Sequence, residues 1–245
     1  MKKLIVAAAI VVAAATFALV ALLRWDPPAP SVLLITLDAT RADHLGVYGY
    51  PRPTSPHLDE LARQAVVFEQ AFTPATTSGP AHASMMTGVR PASHGARHNG
   101  EAIAADVRTI AERLRDAGYR TAGFVSHPLV GPRAGLNRGF DHFVVRTDDN
   151  HRHKVPDRAK SLRVFREAAE WLSEHGNRSF VWVHAQYPHF DYRPPLDLER
   201  RFGGAGRPEY RPLDFNEHRK SPVLSARRPL CWARCPPPWR SRSTC

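Results

Sequence analysis

The chain opens with Lys2 and Lys3, then runs without a charged residue from Leu4 to Leu23 before Arg24, Trp25, Asp26 and two prolines. A helix rises about 1.5 Å per residue, so this run would span roughly 30 Å, the hydrocarbon thickness of a bilayer. Signal-peptide cores are shorter and close on a small-x-small cleavage site; no clean site of that kind follows Leu23. The expectation for residues 1–28 is an uncleaved signal anchor. A cleaved signal peptide and a buried core helix are the alternatives. The positive flank stays inside, which places the remainder in the periplasm or outside the cell, anchored at the membrane or secreted after cleavage.

Residues 29–213 alternate two hydrophobic periods. Ser31–Leu37 is a continuous apolar, β-branched run, the mark of a buried parallel strand. Ser55-Pro56 opens a helix that carries Leu58, Leu61, Ala62 and Ala65 on one face. Val66–Phe72 predicts a second strand, and Pro80 opens a short helix that Gly88 ends. Asp106 is the expected cap of a helix with Val107, Ile110, Ala111 and Leu114 on one side, closed by Gly118. Tyr119–Val125 predicts a third strand. Ser161–Leu172 predicts a helix with Leu162, Phe165, Ala169 and Leu172 inward, and Ser179–His184 a fourth strand. Strands alternating with helices predict an α/β fold, a mainly parallel sheet flanked by helices, preceded by the N-terminal hydrophobic helix. Ligands bind beyond the carboxyl ends of such strands. That rule nominates Asp38 onward, the 73–82 loop, Ser126-His127, and His184 to Asp191.

Composition narrows the picture. At 245 residues, 43% hydrophobic and 23% charged, the chain is neither wholly disordered nor, with three cysteines, a disulfide-dense miniprotein. Its net charge of +11 favours anionic partners. Much of that charge sits in residues 214–245, where the periodicity stops. Arg219, Lys220, Arg227, Arg228, Arg234, Arg240 and Arg242 stand there against Asp214 and Glu217, beside Cys231, Cys235 and Cys245. A polyanion-binding tail or a cysteine metal site is one reading, and a solvated tail is another. The expectation is a third: an irregular basic segment read out of frame, since Arg, Pro, Ser and Cys rise together where the apolar pattern ends. Nucleic acid is excluded as a partner, because no helix-turn-helix, finger or aromatic-basic motif is present and an exported chain rarely meets it.

The nominated strand ends hold groups suited to chemistry. A carboxylate directly after a strand, Asp38, suits a hard metal ion, although it also suits a turn or helix cap. Asp43 and His44 read as caps or surface groups. Ser78 lies at the entry to the helix containing Pro80, where free N–H groups and the positive dipole end stabilise an oxyanion or a bound anion. His82, one turn along, could serve the same anion. The bland reading makes Thr76, Thr77 and Ser78 ordinary caps. His189, held between prolines and aromatics from Tyr187 to Pro195, suits a proton donor or an anion contact, or a surface ring packed on Tyr192.

These segments share an order. Ser31 through Asp38 to Tyr50 resembles the opening strand and metal loop of the sulfatase family, within the alkaline phosphatase superfamily. Pro53-Thr54-Ser55-Pro56-His57-Leu58-Asp59 continues the likeness. Ser78-Gly79-Pro80-Ala81-His82 through Thr87-Gly88 stands where that family has Cys/Ser-x-Pro-x-Arg and then Thr-Gly. Asp116 to Ala122 and Gly139-Phe140-Asp141 follow, and His184 to Pro195 is similar to its His…Pro-His-x-Pro-Tyr…Pro-Pro loop. The resemblance spans about residues 31–213. It implies an alkaline phosphatase-like sandwich, here incomplete, and a hydrolase acting on small-molecule or glycan sulfate esters. It implies a divalent ion, calcium first and otherwise zinc, magnesium or manganese, with Asp38 and Ser78 as ligands. Ser78 would be the nucleophile, with His82, His127 and His189 as further catalytic groups.

Several positions depart from the pattern. Ala39 stands where the family often has a second acid, and Val125 where it has a Lys two residues before His127. His82 replaces the Arg that formylglycine maturation prefers, which favours a plain serine alkoxide at Ser78. No Asp-His-Gly or Asp-Asn-Gly follows His184. The expectation is therefore an impaired sulfatase-like hydrolase. The alternatives are a phosphoesterase or phosphoryl transferase of the same superfamily, and an inactive fragment that only binds anions.

Overall fold

The computed structural model describes residues 29–147, 158–189, 194 and 196–202, together with Thr16. The expected anchor over residues 4–23, apart from Thr16, and the basic tail from 214 lie outside the described residues. Among the described residues no helix is long and apolar enough to cross a membrane.

The chain divides into two units, residues 1–190 and residues 191–245. Of the second unit the described part is essentially one helix, Leu196–Phe202, with the Arg201 guanidinium 5.3 Å from the Phe202 ring centre. The first unit is built on four strands: β1 (Val32–Leu37), β2 (Arg120–Val125), β3 (His142–Val145) and β4 (Ser179–Ala185). They pair in the order β1-β4-β2-β3, parallel throughout. The mainly parallel α/β architecture expected from the alternating periods is thus the one observed.

β4 lies between β1 and β2 and is buried along its whole length. Its alternate side chains serve two cores. Phe180 and Trp182 pack on one face with Met86, Leu136 and Val130. Val181 and Val183 pack on the other, with Phe124 and with Val164 and Ala168 of the helix Arg158–His175. A side chain of that size contributes roughly 1.5–3 kcal/mol on full burial, so one strand organises both layers. The shorter helices of this unit are α1 (Pro56–Ala62), α2 (Ser78–Thr87), α3 (Pro91–His94) and α4 (Ile110–Asp116); Arg158–His175 is α5.

Several expectations are corrected. β1 is a sheet edge with Val32, Leu33 and Ile35 exposed, not a buried strand, because it pairs on one side only. α5 turns Ser161, Val164 and Ala168 inward and leaves Leu162 and Ala169 exposed, one position off the expected face. Val66–Phe72 is not a strand: Val66 (82%), Phe68 (71%) and Phe72 (89%) are exposed. A β-prone run becomes a strand only with a ladder partner and a face to bury, and this run is tied by a bond from the Tyr48 hydroxyl to the Phe68 carbonyl. The fourth sheet position is taken by β3, four residues long and too short to carry a visible alternation. Asp106 is not a cap. α4 starts at Ile110 behind Thr109, whose hydroxyl accepts from Glu112 N while Glu112 takes the Thr109 N–H, a reciprocal capping box.

Candidate active site

Three of the four strands, β1, β2 and β4, deliver a polar group at their carboxyl ends. β1 ends in Asp38, whose amide donates to the Ala185 carbonyl at 3.0 Å. β2 runs into Ser126 and His127, β4 into His184 and then His189. The Ser126 amide donates to the His184 carbonyl at 3.0 Å, and its hydroxyl also bonds that carbonyl. The three strand ends are therefore laced together directly beneath the site. After β4 a tight turn, with the His189 amide on the Gln186 carbonyl at 2.8 Å, carries His189 back over the sheet.

Ser78 is the first residue of α2, and Thr77 precedes it without any side-chain cap. The bland reading of Ser78 as a cap is not what is seen. Its hydroxyl donates instead to Asp38 Oδ2 at 3.3 Å, across forty residues of sequence. A ten-residue helix behind it presents its positive end to whatever charge forms on that oxygen. His82 lies one turn on, but it does not reach the Ser78 hydroxyl. Its Nδ1 donates to the Ser78 carbonyl at 2.7 Å, so it fixes the backbone of Ser78 instead. Burial holds the His82 imidazole below its usual range, against the pull of the Ser78 carbonyl and the Asp38 charge.

His127 is buried, and its Nδ1 accepts from the Leu129 amide at 3.1 Å. That bond uses the Nδ1 lone pair, so the neutral ring carries its proton on Nε2. Its ring stands 6.3 Å from His189 and 6.3 Å from His184, centre to centre. Burial pushes the His127 imidazole down to about 4; the Asp38 carboxylate opposes this, and His189 and His82 reinforce it. At neutral pH His127 is a donor, not a cation.

Two residues without an assigned role in the sequence argument belong to the same cluster. Asn99 Oδ1 accepts from the Gly79 amide at 2.8 Å, and a Cβ on Gly79 would sit 3.1 Å from that oxygen. His184 is fully buried with Nε2 3.8 Å from Asp38 Oδ2, and its ring meets His82 edge-on at 4.5 Å. Burial and the imidazoles of His82, His127 and His189 press His184 far below the ordinary histidine range, so the approach to Asp38 is not an ion pair. Asn99 carries no motif signal in the sequence, whereas His184 stands at a nominated strand end, where the loop residues point first to His189.

The sequence candidates thus converge: Asp38, Ser78, His82 and His127 form one cluster bridged by His184, with His189 beside His127. Asp43 and His44 stay outside it, Asp43 bonded to Arg41 and His44 against Tyr50 with ring centres 4.8 Å apart at a tilt of 34°. Ala39 carries a left-handed φ of 52°, a conformation that Asn and Asp adopt more readily than Ala.

The cluster offers a divalent ion little. Among the described residues no three His, Cys, Asp or Glu side chains are grouped to hold one. Calcium takes six to eight oxygens, and Asp38 with Ser78 supplies one carboxylate and one hydroxyl. These residues by themselves do not fit a tightly held ion. Protein dialysed against buffer is expected to retain far less than one metal per chain by elemental analysis; stoichiometric metal together with turnover would overturn this.

The buried imidazoles make stability depend on pH. An unfolded histidine binds a proton below about 6.5, while folded His127 resists until about 4. The unfolded state therefore binds more protons as pH falls. Stability is fully present above about 6.5 and is lost towards 4, by about 3 kcal/mol for His127 alone. Thermal melts should drop clearly between about pH 7.5 and 5. An unchanged midpoint would show that these rings are not buried neutral.

A family model described as Sulfatase matches residues 30–218. The ulvan-active sulfatase of Formosa agariphila is 30% identical over 137 residues, covering 54% of this chain and 27% of the relative. An N-acetylgalactosamine-6-O-sulfatase of Bacteroides thetaiotaomicron is 32% identical over 115 residues, covering 44% of this chain and 22% of the relative. The chain thus spans about a quarter of the length of these curated relatives. Among solved structures, the phosphonate monoester hydrolase of Agrobacterium radiobacter superposes with a TM-score of 0.60 at 22% identity, covering 80% of this chain and 49% of that one. At that identity the likeness is one of fold.

Proposed function

The chain belongs to the sulfatase family, and on that footing we propose that its site hydrolyses sulfate esters with Ser78 as the nucleophile. The observation that carries this reading is the Ser78 hydroxyl on Asp38 Oδ2 at the positive end of α2. Asp38 accepts the hydroxyl's proton as Oγ attacks. The Oγ–S bond forms while the bond from sulfur to the alcohol oxygen breaks. His127 donates its Nε2–H to a sulfate oxygen, and His189, when protonated, gives its proton to the departing oxygen. His82 holds the Ser78 backbone in place. Water then attacks the same sulfur and gives a proton back to His189 as the Oγ–S bond breaks; Oγ takes its proton back from Asp38, and hydrogen sulfate leaves. Sulfatases generally use a divalent ion. Asp38 and Ser78, an all-oxygen pair, would hold such an ion only weakly, and their chemistry would suit calcium before zinc, magnesium or manganese; no step above depends on it.

The named relatives act on ulvan and on an N-acetylgalactosamine sulfate, which supports small-molecule or glycan sulfate esters as the substrate class. Export, with residues 1–28 as a membrane anchor, is part of the same proposal. Protease accessibility of the domain on intact cells tests it: protection would place the domain inside.

A second reading is phosphoester hydrolysis or phosphoryl transfer. The unmodified hydroxyl of Ser78, with His82 where the family carries Arg, favours it. Turnover of 4-nitrophenyl sulfate and 4-nitrophenyl phosphate by the same preparation separates the two. Preferred sulfate turnover is the expected result. Preferred phosphate turnover would replace the reading, and turnover of neither would remove it.

A further inference from the structure

We propose that His184 is a positioning residue of this site: its Nε2–H holds the Asp38 carboxylate at the end of a directional hydrogen-bond relay that starts at Trp182 and passes through Thr36. The sheet register builds the relay. Thr36 of β1 and His184 of β4 are ladder partners, so their side chains meet on one face at the carboxyl edge. Trp182 lies two residues back on the same strand and shares that face.

The direction follows from counting donors. The Trp182 indole N–H can only donate, and it bonds Thr36 Oγ1 at 3.1 Å. Thr36 then has one hydrogen for two acceptors, His184 Nδ1 at 2.9 Å and the Val183 carbonyl at 3.4 Å. The shorter contact takes it. Nδ1 is then an acceptor and the neutral ring carries its hydrogen on Nε2. The opposite arrangement leaves Thr36 with the bond at the edge of hydrogen-bonding range. It also turns the Nε2 lone pair towards a carboxylate oxygen, which is repulsive.

His184 Nε2 is buried and has no hydrogen-bond partner among the described residues. An orphaned buried donor is costly, and Asp38 Oδ2 stands 3.8 Å away. Closing that gap to the usual length of about 2.9 Å needs a small carboxylate shift. The same oxygen accepts the Ser78 hydroxyl. Asp38 is thereby aimed at Ser78 from the rigid interior of the sheet and not from a loop. The arrangement also assigns the His184 lone pair to Thr36, so His184 is not itself a metal ligand. The relay does not depend on the sulfatase reading; its effect on turnover rests on that reading.

The test is the long-range 1H–15N imidazole spectrum of the 15N-labelled full chain, with His184 identified by its loss in His184→Gln. The expected result is a neutral ring protonated on Nε2. Its signal should shift in Asp38→Ala, and its tautomers should mix in Thr36→Val. Should Asp38→Ala fail to fold, Asp38→Asn serves the same comparison. A ring protonated on Nδ1, or a His184 signal unmoved by changing Asp38, would overturn the proposal. In kinetics, His184→Leu should lower kcat by at least about tenfold with KM unchanged, and His184→Gln, which keeps a donor near Nε2, should recover most of it. Equal losses in both variants would also count against the proposal. A wild-type chain without sulfate turnover would sink the sulfatase reading, while the spectrum still decides the relay.

Discussion

Ser78→Ala is expected to lower sulfate ester turnover by about a thousandfold or more, with little change in melting temperature. The two halves of that expectation have separate causes. The Ser78 hydroxyl caps no backbone group; it bonds Asp38. Removing it leaves α2, its left-handed stop at Gly88 and the buried Met86 and Ala83 as they were. The chemistry, however, loses the atom that attacks sulfur, and no other hydroxyl is bonded to Asp38 among the described residues. The measurement is kcat/KM for an aryl sulfate beside a thermal melt. Retained turnover would assign the attack to water or another group, and would remove Ser78 from the mechanism. A parallel loss of fold would make the kinetic result uninterpretable; in that case Ser78→Thr, which keeps a hydroxyl on the same backbone, is the comparison, and it should retain part of the activity.

The largest effect on stability is expected at Gly139. A Cβ there would fall 2.1 Å from the Glu112 amide nitrogen and 2.5 Å from the Ala111 carbonyl carbon, both backbone atoms, and φ is +87°. Nothing flexible can yield. Glu112 is held by the capping box with Thr109 and by Arg138 at 3.1 Å, and Thr109 donates to the Arg138 carbonyl at 2.9 Å. On its other side the Gly139 carbonyl accepts from buried Thr121 at 2.8 Å. Gly139→Ala must therefore drive α4 away from β2 or break both ties. The expected cost is about 3 kcal/mol or more, from the positive φ and the overpacking together. In a domain of this size that is a fall of about 10 °C in Tm. A variant melting within about 2 °C of the parent would mean that α4 is not packed as described.

The ordering of these effects matches where the chain's information lies. β1, β2 and β4 were legible from their largely apolar runs, Val32–Leu37, Arg120–Val125 and Ser179–Ala185, but only β2 and β4 lie between neighbours; β1 is the sheet edge, with Val32, Leu33 and Ile35 exposed. The stops at Gly88 and Gly118 were legible because only glycine takes their positive φ cheaply. Asp38, Ser78, His127 and His189 could be nominated one by one, since a parallel sheet collects its loops at one edge. Val66–Phe72 misled because its residue types favour a strand, while the decision belongs to a partner the chain does not provide there.

What the sequence by itself determined was the α/β class, the existence of the main strands and helices and the polar groups at the strand tips, all of which depend on neighbours within a few residues. The tertiary structure alone decided which of those groups meet. Ser78 reaches Asp38 across forty residues, and Thr36 reaches His184 across 148. The period of a strand says which face a side chain takes. It does not say which strand lies alongside or in what register, because that is settled by the packing of both faces of β4 at once. Tautomer, burial and the pairing of Asp38 all follow from that register.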